Sequence, residues 1–95
     1  MPPREDESNA RATAEAVARR SYGKLISFLA ARTRDVAGAE DALSGAFAAA
    51  LAGWPAGGIP ANPEAWLLTA ARRKMIDAAR RRRSAEEGAI EMGCR

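Results

Sequence analysis

Apolar positions along the 95-residue chain recur at helical intervals and nowhere alternate as they do in strands. Val17, Leu25, Phe28 and Leu29 fall on one stripe with Ser21 and Tyr22 between them, while Arg19, Arg20, Lys24, Arg32 and Arg34 fall largely elsewhere. This spacing predicts a long first helix over roughly 9–34, with Ser8 or Asn9 placed to cap its free amides. A second stripe holds Ala39, Leu43, Phe47, Ala50 or Leu51, and Trp54, widened by Ala42 and Ala46. It predicts a helix from Ala39 to about Gly53. The third stripe is Trp66, Leu67, Ala70, Ala71, Met75 and Ala78/Ala79, and no Gly or Pro interrupts it before Gly88.

Punctuation separates the stripes. Asp35-Val36-Ala37-Gly38 reads as a short break in which Gly38 is free to adopt φ > 0 and Asp35 to accept backbone hydrogen bonds. Residues 55–61, PAGGIPA, read as a loop: Pro55 and Pro60 lack donors and Gly57-Gly58 supplies a turn. Asn62-Pro63-Glu64 is a helix start, with an N-cap, a proline at the first helical position and an acid in the first turn. Residues 1–8 have two prolines and no apolar periodicity and are expected to form a disordered tail. Periodicity fades again after Arg83, so 85–95 is expected to be a flexible end to a domain spanning 9–84. The expected architecture is all-α, a compact bundle of three main helices with a Pro/Gly loop before the last and antiparallel neighbours.

Composition narrows the chemistry. Histidine is absent and Cys94 is the sole cysteine, so the parts of a His/Cys metal cluster, a Ser-His-Asp triad or an internal disulfide are missing. A non-enzyme without cofactor or metal is expected. No apolar run approaches the length of a membrane span and the N-terminus has no apolar core, which points to the cytoplasm and away from a membrane partner. Much of the apolar 47% is alanine, so the core should be thin.

The net charge of +3 hides a polarised chain. Residues 36–71 contain no Lys or Arg and three acids, Glu40, Asp41 and Glu64, whereas 72–83 set seven cations against Asp77 alone. Seven neighbouring cations repel one another and suit a polyanion, nucleic acid before an anionic membrane; the alternative is a solvated helix end aided by the dipole. Phosphate contacts alone give affinity without sequence choice. The loop ahead of the helix could supply that choice by holding an extruded base, or could be a plain connector. Glu40 and Asp41, expected in the first turn of their helix, would there complement its dipole.

Three blocks, AEDALSGAFAAAL (39–51), WPAGGIPANP (54–63) and WLLTAARRKMIDAARRRR (66–83), together resemble region 2 of bacterial RNA polymerase sigma factors of the extracytoplasmic function group. The likeness covers about Tyr22 to Arg83. The wording around the loop further resembles a subgroup whose longer members carry a helical-repeat extension. The resemblance implies that the acidic helix docks on the clamp coiled coil of the polymerase largest subunit through Glu40, Asp41, Leu43, Ser44 and Phe47. It implies capture of a minus ten base by Gly57, Gly58, Ile59, Pro60 and Asn62. Backbone contacts carry over to Arg72, Arg73, Lys74, Arg80 and Arg81. Core RNA polymerase, promoter DNA and an anti-sigma factor are the implied partners. Trp66 is assigned to the core and Asp77 to an ion pair.

Two departures stand out. Ser44-Gly45 replaces the family's usual Gln-Glu, and nothing after Arg83 could form the domain that reads the minus thirty-five element. They favour, as an alternative, a sigma-like decoy that occupies an anti-sigma factor or polymerase without promoter activity. A generic basic module that binds DNA or RNA without sequence choice is the third reading.

Overall fold

Only Arg34 and Asp35 separate the first helix, α1 (Glu5–Thr33), from the second, α2 (Val36–Gly57). The computed structural model describes residues 5–93, with side chains through Glu87, and among these the only other helix is α3 (Pro63–Gly93), with no strand. Arg34 takes a left-handed conformation (φ 54°) and its N–H donates to the Ala30 carbonyl at 2.7 Å, closing α1. Asp35 then caps α2, its Oδ1 accepting from the Gly38 N–H at 2.9 Å. Gly38 therefore lies inside the first turn of α2 rather than in a break. A Cβ there would overlap the Asp35 carboxylate in its capping position and push it aside.

Besides the start of α2 at Val36, the helix ends depart from the sequence reading in three places. α1 begins at Glu5, so residues 5–8 of the expected tail are helical. Glu5, Asp6 and Glu7 form its first turn, where their charges complement the dipole. Residues 1–4 and 94–95 of the two expected tails lie outside the described residues. α2 runs through Pro55 to Gly57. In the last turn the proline forfeits only its own bond to Leu51, and Leu51, Ala52 and Gly53 around it are exposed. The helix stops at Gly58, whose φ 92° and ψ 152° are accessible to glycine alone, and whose N–H donates to the Trp54 carbonyl at 2.8 Å. α3 starts where Asn62-Pro63 requires, with Asn62 Oδ1 accepting from the Ala65 N–H at 3.1 Å. It does not fade after Arg83 but continues to Gly93, because Ser84–Glu87 contains no breaker and helix formation there needs no burial.

Contacts fix the helix directions. Trp54 meets Trp66, Gly45 meets Lys74 and Asp35 meets Arg82, so α2 and α3 are antiparallel. Ser21 meets Glu64, and Arg32 and Thr33 line one hollow with Arg72 and Ile76, so α1 and α3 run parallel. The core is Ala10, Ala14, Val17, Leu25 and Leu29 of α1, six residues of α2, and Leu67 and Ala71 of α3. Leu43, Leu67 and Val17 are its largest fully buried side chains. Trp54 and Trp66 pack edge to face, with centroids 5.3 Å apart at 70°, closing the end nearest the loop. The Trp54 Nε1–H is buried without an acceptor among the described residues, a cost at that end. Four stripe residues are exposed, Phe28, Leu51, Ala78 and Ala79. Phe28 is 59% exposed because the buried row on α1 steps by four through 17, 21, 25 and 29, and Leu51 yields its place to Ala50.

Leu67→Ala should cost about 2–5 kcal/mol, a large part of the roughly 5–15 kcal/mol available to a small domain. Urea denaturation checks it, with Ile76→Ala, at a half-exposed site, expected to shift the midpoint far less.

Candidate functional site

The loop 58–62 is held by what precedes and follows it. Behind it, Gly58 ends α2 in a conformation no other residue adopts readily; ahead of it, Asn62 caps α3. Glu64, two residues into the site's second half, fastens α3 to α1. Its Oε1 accepts the Ser21 hydroxyl at 2.7 Å and lies 3.5 Å from Arg20 Nε. Among the described residues Ser21 is the one polar side chain classed as buried, and this bond satisfies it. The Ser21 hydroxyl does most to hold the Glu64 carboxyl below its ordinary value of 4.5; desolvation opposes it, and the charges of Arg20 and Lys24 add smaller lowering effects.

Of the residues expected to capture a base, Gly58, Ile59 and Asn62 are exposed in the loop, Pro60 is half-buried, and Gly57 is exposed as the last residue of α2. The five expected backbone-binding cations are all exposed but do not share a face. At about 100° per residue, Arg73 and Arg80 stand roughly opposite the buried Ala71 and point outward. Lys74 and Arg81 line a groove of about 630 Å³ with Asp41 and Gly45 of α2. Arg72 turns the other way, toward Phe28 and Arg32 of α1. Arg82, not among the five, reaches back to within 4.0 Å of Asp35. Asp77 has no cation within ion-pair distance among the described residues, so the ion pair expected for it is not formed. Trp66 packs against the core as expected, though only partly buried.

On α2 the sequence reading needs correcting at one position. Leu43 is fully buried, since it lies on the same row as Ala39, Ala46 and Ala50, and its side chain cannot contact a partner. Glu40, Asp41 and Ser44 are exposed and Phe47 is half-buried; the exposed Leu51 extends this strip in a way the apolar pattern alone did not reveal. Because α2 begins at Val36, Glu40 and Asp41 lie beyond its first turn, where the dipole has little hold on them. Gly45 has a local reason: a Cβ there would stand 3.0 Å from Lys74 Cδ and 3.1 Å from Cε. The lysine stem lies across α2 at that point.

Two measurements follow. Gly45→Ala gains helix propensity worth about 1 kcal/mol and displaces only a flexible lysine stem, so thermal stability should stay level or rise. Ser21→Ala removes the main cause of the lowered Glu64 pKa, and NMR titration should show it rising toward 4.5. A depressed carboxyl stabilises the fold above its unfolded pKa and loses that contribution as pH falls through its folded pKa. The stability gap between wild type and Ser21→Ala should therefore be widest near neutrality and narrow in acid.

Among the described residues no helix is long and apolar enough to cross a membrane, and no cluster of His, Cys, Asp and Glu is placed to hold a metal. No curated protein and no solved structure matches the chain. A family model described as Sigma-70 region 2 matches residues 17–85, a stretch that takes in most of α1, all of α2, the loop and the basic part of α3. The chain belongs to the sigma-70 region 2 family, a domain of transcription-initiation factors and not of catalysts, which in sigma factors binds core polymerase and the minus ten promoter element.

Proposed function

We propose that this chain is the region 2 of an extracytoplasmic function sigma factor. In this reading Glu40, Asp41 and Ser44, with Phe47 and Leu51, dock on the clamp coiled coil of the polymerase largest subunit. Gly58, Ile59, Pro60 and Asn62, with Gly57 at the helix end, receive a minus ten base. Arg73 and Arg80 hold the strand backbone, with Arg72, Lys74 and Arg81 flanking. The observation that carries it is the segregation of charge. Exposed acids on α2 have no dipole to serve, cations crowd α3, and the anchored loop is the hinge between them. Complementary fields of this kind steer encounter and fix orientation. The work is binding and base capture in the cytoplasm, without catalysis.

Asp41→Ala should weaken binding to the isolated clamp coiled coil about fivefold, the size of a rim charge. Arg73→Ala should weaken all single strands alike and lower the slope of log K against log salt by about 0.7. Asn62→Ser keeps the helix cap, so a loss of base preference in that variant reports on the loop itself. Absence of clamp binding by the wild type overturns the docking assignment. It would favour the second reading, a decoy for an anti-sigma factor, which the covering of Gly45 by Lys74 supports because a cation there stands over the acidic helix.

A further inference from the structure

Arg82, 4.0 Å from Asp35, stands level with the turn that joins α1 to α2, and α3 runs on past it to Gly93. α1 ends at Thr33 and α2 begins at Val36, so neither accompanies the stretch 83–93, which projects about 16 Å. At about 100° per residue, Ile76, Ala79, Arg82, Arg83, Glu86 and Glu87 share one side of α3. It is the side that turns toward α1 nearer the loop, where Ile76 lines a hollow with Phe28 and Arg32. Beyond the end of α1 this side is uncovered: Ile76 is 50% exposed, and Ala79 and the four charged residues are exposed as well.

The charges on it are ordered. Arg82 and Arg83 precede Ser84-Ala85 and Glu86 and Glu87 follow, so the pattern reverses sign about its own midpoint. Within the helix each acid has an arginine four residues before it, the less favourable order for such a pair. Among the described residues neither acid has a cation within ion-pair distance. A nucleic-acid strand laid on this side would meet both carboxylates and be repelled by them. A second copy of α3 running antiparallel meets its complement. With a two-fold axis between positions 84 and 85, Arg83 stands opposite the second copy's Glu86 and Arg82 opposite its Glu87, and symmetry repeats both pairs. Parallel pairing would instead set arginine against arginine. In the antiparallel register, position 90 of one copy lies opposite Ala79 of the other and position 93 opposite Ile76, level with Thr33 where α1 stops. The second copy's helix thus continues the line of α1 and covers the apolar positions that α1 leaves open.

We propose that the projecting end of α3 is a self-association surface, on which two copies pair antiparallel about Ser84-Ala85 with Arg82 and Arg83 of each against Glu86 and Glu87 of the other. A single exposed ion pair is worth little. Here the pairs are reciprocal and flank an apolar contact, which gives a weak dimer that salt loosens. The inference is independent of the polymerase and promoter reading, whose residues it does not use.

Sedimentation velocity of the full chain across the micromolar range, at low and at physiological salt, tests it. The wild type should pass from monomer to dimer as concentration rises, and salt should oppose the change. Glu86→Arg combined with Glu87→Arg should weaken association about a hundredfold, as like charges juxtaposed across an interface do. Arg82→Glu combined with Arg83→Glu should do the same. Mixing the two double variants should restore a dimer containing one copy of each, because every facing pair is then again opposite in charge. These positions are exposed, so both variants are expected to fold, and circular dichroism checks that they do. A wild type that stays monomeric throughout overturns the proposal. So does a dimer that neither double variant weakens, and so does a mixture that fails to restore what each variant alone has lost.

Discussion

Close approach of helices over small side chains is the constraint on which this molecule depends. Of the core residues, Ala10, Ala14, Ala39, Ala42, Ala46, Ala50 and Ala71 outnumber the larger Val17, Leu25, Leu29, Leu43, Trp54 and Leu67. Alanine removes little area from water, so stabilisation comes from contact between nearly bare helix surfaces. The few large side chains set the register. Leu43 and Leu67 are wholly enclosed, and the Trp54–Trp66 pair closes the end where the loop leaves. A thin core also limits what can be covered. Phe28, Leu51 and Ile76 stay in solvent because three helices with alanine faces enclose no room for them.

That limit leaves three separate exposed surfaces. One strip of α2 carries the exposed acids and Leu51; the outward side of α3 carries Arg73 and Arg80; the side where α1 meets α3 carries Phe28 with Lys24, Arg32 and Arg72. Each faces a different direction, and the tie from Glu64 to Ser21 keeps the loop in fixed relation to all three. Cations on α3 that would repel each other on one face are dispersed around the helix. Lys74 and Arg82 are drawn toward the acid-bearing start of α2, which lessens the mutual repulsion.

Much of this was legible in the sequence, and the misses have physical causes. Three helices followed from periodicity, and the start of α3 followed from Asn62-Pro63-Glu64 because capping is a local interaction between neighbours in the chain. Pro55 misled because a proline's cost depends on how many turns follow it, and at the final turn little is lost. Phe28 was misplaced because a stripe drawn from spacing has a width of several residues, and which edge is buried depends on where the third helix lands; Leu43 is buried as its place on the stripe requires, and only the resemblance had set it at a partner surface. The division of the cations on α3 was hidden likewise, since it exists only relative to α1 and α2. Resemblance supplied the partners that no local pattern could.

The parallel course of α1 and α3 bears on how the chain reaches this state. α1 and α2 meet across a two-residue turn, whereas Ser21 and Glu64 are 43 residues apart and can meet only after α2 has folded back. Closing the larger loop has an entropic cost that grows with its length, so local pairing of α1 with α2 precedes it. The Ser21–Glu64 tie then belongs to the last stage of assembly, and its loss should hasten unfolding more than it delays folding. The contact between α1 and α3 is thus the youngest in the molecule, and the first to part when it opens.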